Sequence, residues 1–171
     1  VTSSFSAIKE FISKYKKVIL KPLDGMAGNG IFMVTNKDKN LNVILETMIS
    51  DSHHSIMVQK FIPEISEGDT RIILVNGEPL PYGLTRIPQS DEIRANLAKG
   101  GSGVIRKINK NDEIIISRIK PYLLEKNLNF VGIDIIGCYL TEINVTSPTG
   151  LVEIQNQSNI NYAEFIINAL Q

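Results

Sequence analysis

The sequence predicts an α+β fold with largely antiparallel sheets. Segments with apolar residues at helical spacing alternate with short runs rich in Ile and Val, and the strand-like runs come in pairs joined by short, glycine-containing turns. The chain has 171 residues, of which 43% are hydrophobic. This length and composition are sufficient for a buried core and suit one domain or two small lobes.

Residues 1–63 predict the first lobe. Behind a serine cap, apolar residues recur at helical spacing from Ser4 to Lys17, which predicts an amphipathic helix. Pro63 ends the last strand of this lobe. The elements predicted between them are a strand at 18–21, a glycine-rich turn, a strand at 31–34, a helix over about 41–50 and a strand at 56–61.

Residues 64–171 predict the second, larger lobe. The Asn76-Gly77 pair between two apolar runs is typical of a hairpin turn. From Pro88 to Gly103 the chain is polar and glycine-containing and has no apolar repeat, which predicts a long mobile loop of functional importance. The other predicted elements are strands at 69–75 and 82–87, a helix over about 111–126 with a kink at Pro121, and a helix over about 161–170.

The most informative stretch is an Ile- and Val-rich hairpin that carries acidic residues. Its two strands are joined by a short turn around Gly137 and Cys138. A loop of about three residues pairs Asp134 with Glu142, and alternation puts Asn144 on the same face. Because like charges directly opposite each other destabilise a sheet, the pair predicts a cation between them, and oxygen ligands favour a hard ion such as Mg²⁺. Mg²⁺ usually bridges to phosphates, so a nucleotide is also predicted. The alternative is a hairpin whose polar face lies in water.

A second chemical signal is a lysine at a strand end followed by a glycine-rich loop. Lys21 precedes Gly25, Gly28 and Gly30, and glycines let backbone N–H groups close around phosphate oxygens while the lysine supplies charge. The residue order of a P-loop is absent. The alternative is an ordinary turn.

Arginines are the third signal. A strand arginine among isoleucines can hold a carboxylate or phosphate through two nitrogens, and a loop arginine can close over a substrate. Each could instead pair with a surface acid. The four arginines in question are Arg71, Arg86, Arg94 and Arg106.

Composition limits the partners and the compartment. Eighteen basic residues balance eighteen acidic ones, which argues against a nucleic-acid or membrane partner. His53, His54 and the single Cys138 do not form a convincing transition-metal site. With no charged-then-apolar leader in the sequence, we expect a cytoplasmic protein.

Together these motifs resemble a known family, the bacterial glutathione synthetases of the ATP-grasp superfamily. The match covers nearly the whole chain. The stretches that carry it are Val18-Ile-Leu-Lys-Pro-Leu-Asp-Gly-Met, Gly68-Asp-Thr-Arg, Arg86-Ile-Pro-Gln, Arg94-Ala-Asn-Leu-Ala-Lys-Gly-Gly, Val131-Gly-Ile-Asp-Ile-Ile-Gly and Leu140-Thr-Glu-Ile-Asn-Val-Thr-Ser-Pro-Thr.

The resemblance implies an ATP-grasp fold whose two lobes, 1–63 and 64–171, hold a nucleotide between them. It implies a mobile loop at 88–103, a metal-binding hairpin at 130–145, and ATP with Mg²⁺ or Mn²⁺ as cofactors. The family joins γ-glutamylcysteine to glycine through an acyl phosphate and usually assembles from several subunits. Its N-terminal substrate domain has no counterpart here, so we expect the chain to be the C-terminal ATP-grasp portion.

The resemblance also implies roles for individual residues. The metal ligands would be Asp134, Glu142 and Asn144. The residues facing the acyl phosphate or substrate carboxylates would be Arg71, Arg86 and Arg94. The substrate and lid residues would be Asn96, Gly100, Gly101, Ser147 and Thr149. The nucleotide-binding residues would be Lys21, Asp24, Gly25, Met26, Gly28, Gly30, Gln59, Lys60, Phe61, Ile62 and Asp69, with Gln59 to Ile62 as the hinge whose backbone binds adenine.

Two alternatives to glutathione synthesis stay open from the sequence. The chain could be a nucleotide-binding ATP-grasp remnant without ligase activity. It could also belong to an ATP-grasp ligase with different substrates.

Overall fold

A computed structural model describes residues 1–25, 28–49, 54–89, 94–95 and 102–170. Its internal contacts divide the chain into two compact units, Val1–Pro63 and Glu64–Gln171. Each unit has its own antiparallel sheet, so the predicted α+β fold with largely antiparallel sheets is confirmed. Within the described residues, no helix has the length and apolar character needed to cross a membrane.

The first unit is a three-stranded sheet with two helices. Ser4 caps the first helix, because its side chain accepts a hydrogen bond from the backbone of Ala7. The elements are α1 (Phe5–Tyr15), β1 (Lys17–Pro22), β2 (Phe32–Thr35), α2 (Leu41–Met48) and β3 (Ile56–Lys60). The strand order is β2-β1-β3, and the buried residues Ile8, Ile12 and Leu45 belong to the core that both helices form with the sheet.

The second unit is built on a larger sheet, which a short 3₁₀ helix, Pro63–Glu67, precedes. The elements are β4 (Asp69–Val75), β5 (Glu78–Pro79), β6 (Tyr82–Ile87), β7 (Ser102–Lys107), α3 (Lys110–Glu125), β8 (Phe130–Ile136), β9 (Tyr139–Asn144), α4 (Leu151–Ser158) and α5 (Ala163–Leu170). The strand order is β7-β6-β4-β8-β9, with β5 paired to β4.

The two faces of this second sheet have different coverings. Ile72 and Leu74 of β4 pack in a core with buried residues of α3. Ile73 and Val75, which alternate with them, pack in a separate core with buried residues of α4 and α5. Arg71 therefore lies on the face of β4 that α4 and α5 cover.

Sequence and structure differ at three elements of the second unit. The predicted Asn76-Gly77 turn is present, with φ of 52° and 77°, but it joins β4 to the short β5 rather than directly to β6. Strand β7 was not predicted, because Val104 is exposed and the run lacks a clear alternation. Helix α4 was not predicted either, because Ile154 is its one fully buried residue and its start has no side-chain cap.

Helix α3 begins at a buried acid. Asp112 is fully buried, accepts from the backbone N–H of Asn109 at 2.9 Å, and faces the guanidinium of Arg106 at 2.5 and 3.0 Å. Asn109 in turn accepts from the backbone of Asp112, which completes a capping box. Arg106, one of the four candidate arginines, thus anchors a helix in this structure.

Replacing Asp112 by Ala should destabilise the protein by about 2–4 kcal/mol, because a buried ion pair and a helix cap lose one partner. Urea unfolding of the purified variant measures this. Glu113→Ala, at the next and exposed position, is the control. Equal stability of the two variants would contradict the anchoring role.

Candidate functional site

The acidic hairpin has the predicted register. Asp134 lies opposite Glu142, and Gly132 lies opposite Asn144. The turn has two residues rather than three, since Ile136 pairs with Tyr139, and a bulge after Asp134 makes up the difference. The predicted pairing of Asp134 with Glu142 is therefore confirmed, although a two-residue turn and a bulge produce it instead of a three-residue loop.

A buried carboxylate lies at the centre of this face of the sheet. Asp134 is 2% exposed and is bound side-on by Arg71, from Nε to Oδ1 and from Nη2 to Oδ2, the latter at 2.8 Å. Nη2 of Arg86 lies 3.0 Å from the same Oδ2. Both arginines are themselves buried, so three charged side chains meet away from water.

A second acid continues the network. Nη2 of Arg86 donates to Oδ2 of Asp69 at 2.6 Å, across the β4–β6 pairing that puts the two residues opposite each other. The buried Nε of Arg86 has no acceptor among the described residues. One donor of this guanidinium thus remains for a group that the described part of the chain does not supply.

Two guanidiniums, which the hairpin sequence alone does not reveal, supply positive charge beside Asp134. The cation between Asp134 and Glu142 stays a prediction. Asn144 bridges Glu142 and Arg71. In the orientation that satisfies both ends of its amide, the nitrogen donates to Glu142 Oε1 at 2.8 Å and the oxygen accepts from Arg71 Nη2 at 3.2 Å. Glu142 itself is exposed.

The charges set the protonation of the centre. Burial opposes the charged form of Asp134, but hydrogen bonds from Arg71 and the charges of Arg86 and Arg71 outweigh it, so the pKa of Asp134 lies below its usual range. Burial also opposes the charge on Arg86, yet Asp69 and Asp134 raise the pKa of that guanidinium above its ordinary value. Each of these shifts favours the charged form, of Asp134 and of Arg86.

The loop after β9 holds the other side of Arg71. Nη1 donates to the carbonyl of Thr149 at 3.1 Å, and this loop passes so close that a Cβ on Gly132 would lie 2.7 Å from Cβ of Pro148 and 3.1 Å from Cδ of Arg71. Ser147 has a left-handed φ of 48°. Gly132 is thus needed for the loop to pack over the arginine, and a glycine inside an apolar strand is the sequence signal for such a close approach.

The donor set suits a hard divalent ion. Asp134 faces three guanidinium nitrogens, and a carboxylate has about four lone-pair positions, so capacity remains. A half-turn of the Asn144 amide brings its oxygen to the side of Glu142. Within the described ranges, no three His, Cys, Asp or Glu side chains converge as a metal site, so this site would use two carboxylates and an amide. Two carboxylates and one amide oxygen fit Mg²⁺ or Mn²⁺.

The candidate phosphate residues lie in the first unit. Lys21 is the second-to-last residue of β1 and lies opposite Met57, and the following loop has left-handed φ values of 73° at Gly28 and 69° at Gly30. A Cβ on Gly25 would lie 2.6 Å from Cγ of Pro22. Asp24 is exposed, and Met26 lies outside the described residues. The glycines are thus required by the backbone of this loop.

The candidate adenine hinge runs along the outer strand of the first sheet. The N–H of Phe61 donates to Lys17 O at 3.1 Å, toward β1, whereas the N–H and C=O of Ile56 bond to Thr2 on the other side. Since strand residues alternate in direction, the backbone groups of Lys60 point to the outer edge of the sheet, and Ile62 follows two residues later, beyond the end of β3. Gln59 directly precedes Lys60 and lies opposite Ile19.

Part of the predicted lid cannot be placed. Arg94 is half-buried and Ala95 is buried. Asn96, Gly100 and Gly101 lie outside the described residues. The predicted loop ends earlier than expected, because Gly103 already belongs to β7 and pairs with Arg86.

Comparisons with known proteins are consistent across sequence and fold. The family described as "Prokaryotic glutathione synthetase, ATP-grasp domain" matches residues 1–159. Proteins named glutathione synthetase from Coxiella burnetii and Nitrosomonas europaea are each 48% identical over 171 residues, which is 100% of this chain and 53% of theirs. The chain thus spans about half the length of these relatives.

Solved structures show the same fold at low identity. The D-cycloserine synthetase DcsG aligns with a TM-score of 0.72 at 10% identity over 99% of this chain and 60% of its own. The ATP-grasp ligase PsnB, in complex with precursor peptide PsnA2 and AMPPNP, aligns with a TM-score of 0.67 at 14% identity over 99% and 52%. The fold is therefore that of the ATP-grasp ligases.

Gly132→Ala should destabilise the protein by about 1–3 kcal/mol, because the added Cβ overpacks the loop and Arg71. It should also shift the Nε–H resonance of Arg71 in NMR spectra. Gly83→Ala is the matched control, since its Cβ would crowd Thr70 and Ile72 on the opposite face. The same Arg71 shift in both variants would refute a specific role for Gly132.

Stability should fall in acid as Asp134 takes up a proton. A carboxyl with a depressed folded pKa contributes stability that is complete above its unfolded pKa of about 3.9 and is lost as pH falls through the lower folded value. A ¹³C NMR titration of the Asp134 carboxyl, run beside urea unfolding at each pH, checks this. A midpoint at or above the unfolded value would show that the arginines do not control this acid.

Proposed function

Since the chain belongs to the prokaryotic glutathione synthetases through their ATP-grasp domain, we propose that it forms the nucleotide- and metal-binding part of an ATP-dependent ligase that joins γ-glutamylcysteine to glycine. The observation that carries the proposal is the buried arginine cluster around Asp134, with Glu142 and Asn144 beside it. Oxygen donors for a cation and guanidinium donors for an anion thus share one face of one sheet.

The proposed reaction concentrates negative charge in both of its steps. A carboxylate oxygen of γ-glutamylcysteine attacks the γ-phosphorus of ATP, the bond to ADP breaks, and an acyl phosphate forms. The glycine amine then attacks the acyl carbon, loses a proton, and phosphate leaves. Positioning and charge stabilisation supply most of the catalysis in phosphoryl transfer.

Two arginines suit the anionic partner in these steps. Arg71 is held on both sides, by Asp134 and by Thr149 O, so its guanidinium has a fixed orientation. Arg86 has an unused, buried Nε donor, which an anionic oxygen can accept. In the proposal these two bind the reacting acyl phosphate or a substrate carboxylate, and Arg94 assists from the loop.

The proposed metal ligands are Asp134, Glu142 and Asn144. A divalent ion bound there, Mg²⁺ or Mn²⁺, would neutralise phosphate charge. Glu142 is exposed and its Oε1 accepts from the amide of Asn144, so an ion from solvent can reach this carboxylate.

The proposed nucleotide contacts come mostly from the first unit. Lys21 and the Gly25–Gly30 loop would bind phosphates, because Gly28 and Gly30 adopt backbone conformations that favour glycine. The outward backbone groups of Lys60, with those of Ile62, would bind adenine. Further contacts would come from Asp24, Met26, Gln59, Phe61 and Asp69, and substrate contacts from Ser147, Thr149, Asn96, Gly100 and Gly101. Assembly from several copies remains a prediction of the family resemblance, and a cytoplasmic location remains a prediction from the sequence.

Glu142→Gln tests the metal and nucleotide assignment together. It keeps the shape of the side chain and removes one negative charge from the proposed site. We expect ADP binding in the presence of Mg²⁺ to weaken at least about tenfold, or about 1.4 kcal/mol by calorimetry, while binding without Mg²⁺ is unchanged. Glu164→Gln, an exposed change in α5, is the control. If the ADP affinity of the wild-type protein is the same with and without Mg²⁺, the proposal is wrong.

A further inference from the structure

The side chain of Gln157, in α4, bonds to the backbone of β7 at the edge of the sheet. The backbone N–H of Ile105 donates to Gln157 Oε1 at 3.0 Å, and Gln157 Nε2 donates to the carbonyl of Gly103 at 2.9 Å. One partner is a donor and the other an acceptor, so the orientation of the amide is determined by both. The exposed side-chain amide of Gln157 thus both accepts from and donates to the backbone of β7, as a peptide group of a neighbouring strand would.

The position of this contact gives it importance. Strand β7 is at the end of the sheet order, so its outward N–H and C=O groups have no neighbouring strand in this sheet. Gly103 and Ile105 alternate along β7, and their outward groups are the ones that Gln157 binds. The amide therefore holds the open sheet edge near the start of β7.

Helix α4 connects this edge to the buried charges. Gly103 is paired across the sheet with Arg86. At the other end of α4, the carbonyl of Thr149, two residues before the helix starts, accepts from Arg71. The helix has eight residues, or about 12 Å of length. Its two ends are thus bonded to the surroundings of both buried arginines.

We propose that Gln157 is a positioning residue of the ligase site. By pairing with Gly103 and Ile105, it holds β7 against β6 and so keeps Arg86 aligned with Asp69 and Asp134. This role rests on the proposed function only where substrate is concerned. The clamp itself is a property of the fold and can be measured without any ligand.

Three substitutions separate the two hydrogen bonds. Gln157→Ala removes both, Gln157→Glu keeps the acceptor for Ile105 but removes the donor to Gly103, and Gln157→Asn keeps the amide but shortens its reach by one methylene. Asn156→Ala, the adjacent exposed position, is the control. The first measurement is hydrogen exchange of the Ile105 amide in the purified protein.

We expect Ile105 to exchange about tenfold faster in the Ala and Asn variants, since a hydrogen bond contributes about that factor, and to stay protected in the Glu and control variants. Unchanged exchange in Gln157→Ala would overturn the clamp. This readout does not depend on activity.

The second measurement is steady-state kinetics of the complete ligase of which this chain forms part, with γ-glutamylcysteine and ATP varied in turn. We expect Gln157→Ala to raise the KM for γ-glutamylcysteine about fivefold or more, by roughly the contribution of one hydrogen bond, with the KM for ATP unchanged. Faster exchange with both KM values unchanged would overturn the positioning role. Absence of ligase activity in the complete wild-type enzyme, with the clamp intact, would count against the proposed function instead.

Discussion

The buried pair of Arg71 and Asp134 is the interaction on which the second unit depends. Taking both charges out of water is unfavourable, and only close, two-point geometry with further hydrogen bonds offsets it. The surroundings meet that demand at several points: Gly132 leaves room, Thr149 accepts the third arm of the guanidinium, and Arg86 supplies a second positive charge. Loss of either partner would leave an uncompensated charge, which typically destabilises a protein by about 3–5 kcal/mol.

Stability alone does not account for this cluster. Apolar residues of similar volume in place of a buried ion pair are often as stable or more so. The opposite face of the same sheet shows that this chain packs well without charges, because α3 there covers Ile72, Leu74 and Ile133. The charged face is best explained by the chemistry proposed for it, in which the arginines meet an anion and the acids meet a cation.

Helix α4 lies between the buried arginines and the β7 edge of the sheet. The helix covers part of the apolar core through Ile154, and its flanks bond to Arg71 on one side and to the β7 edge on the other. A short helix with one fully buried residue is a weak element by itself. The end contacts add to the packing of Ile154, and in our proposal they keep the arginines aligned.

The α+β class, the pairing of Asp134 with Glu142 and, through its motifs, the family could be read from the sequence. These depend on local alternation, turn length and short strings of residues. Long-range contacts settle the other features. Arg71 is 63 positions from Asp134, and no local pattern shows that a guanidinium binds that acid. Helix α4 and strand β7 have weak local patterns, and contacts between residues distant in sequence fix them: β7 pairs with β6 and bonds to Gln157, and α4 packs through Ile154 beside the bond from Arg71 to Thr149.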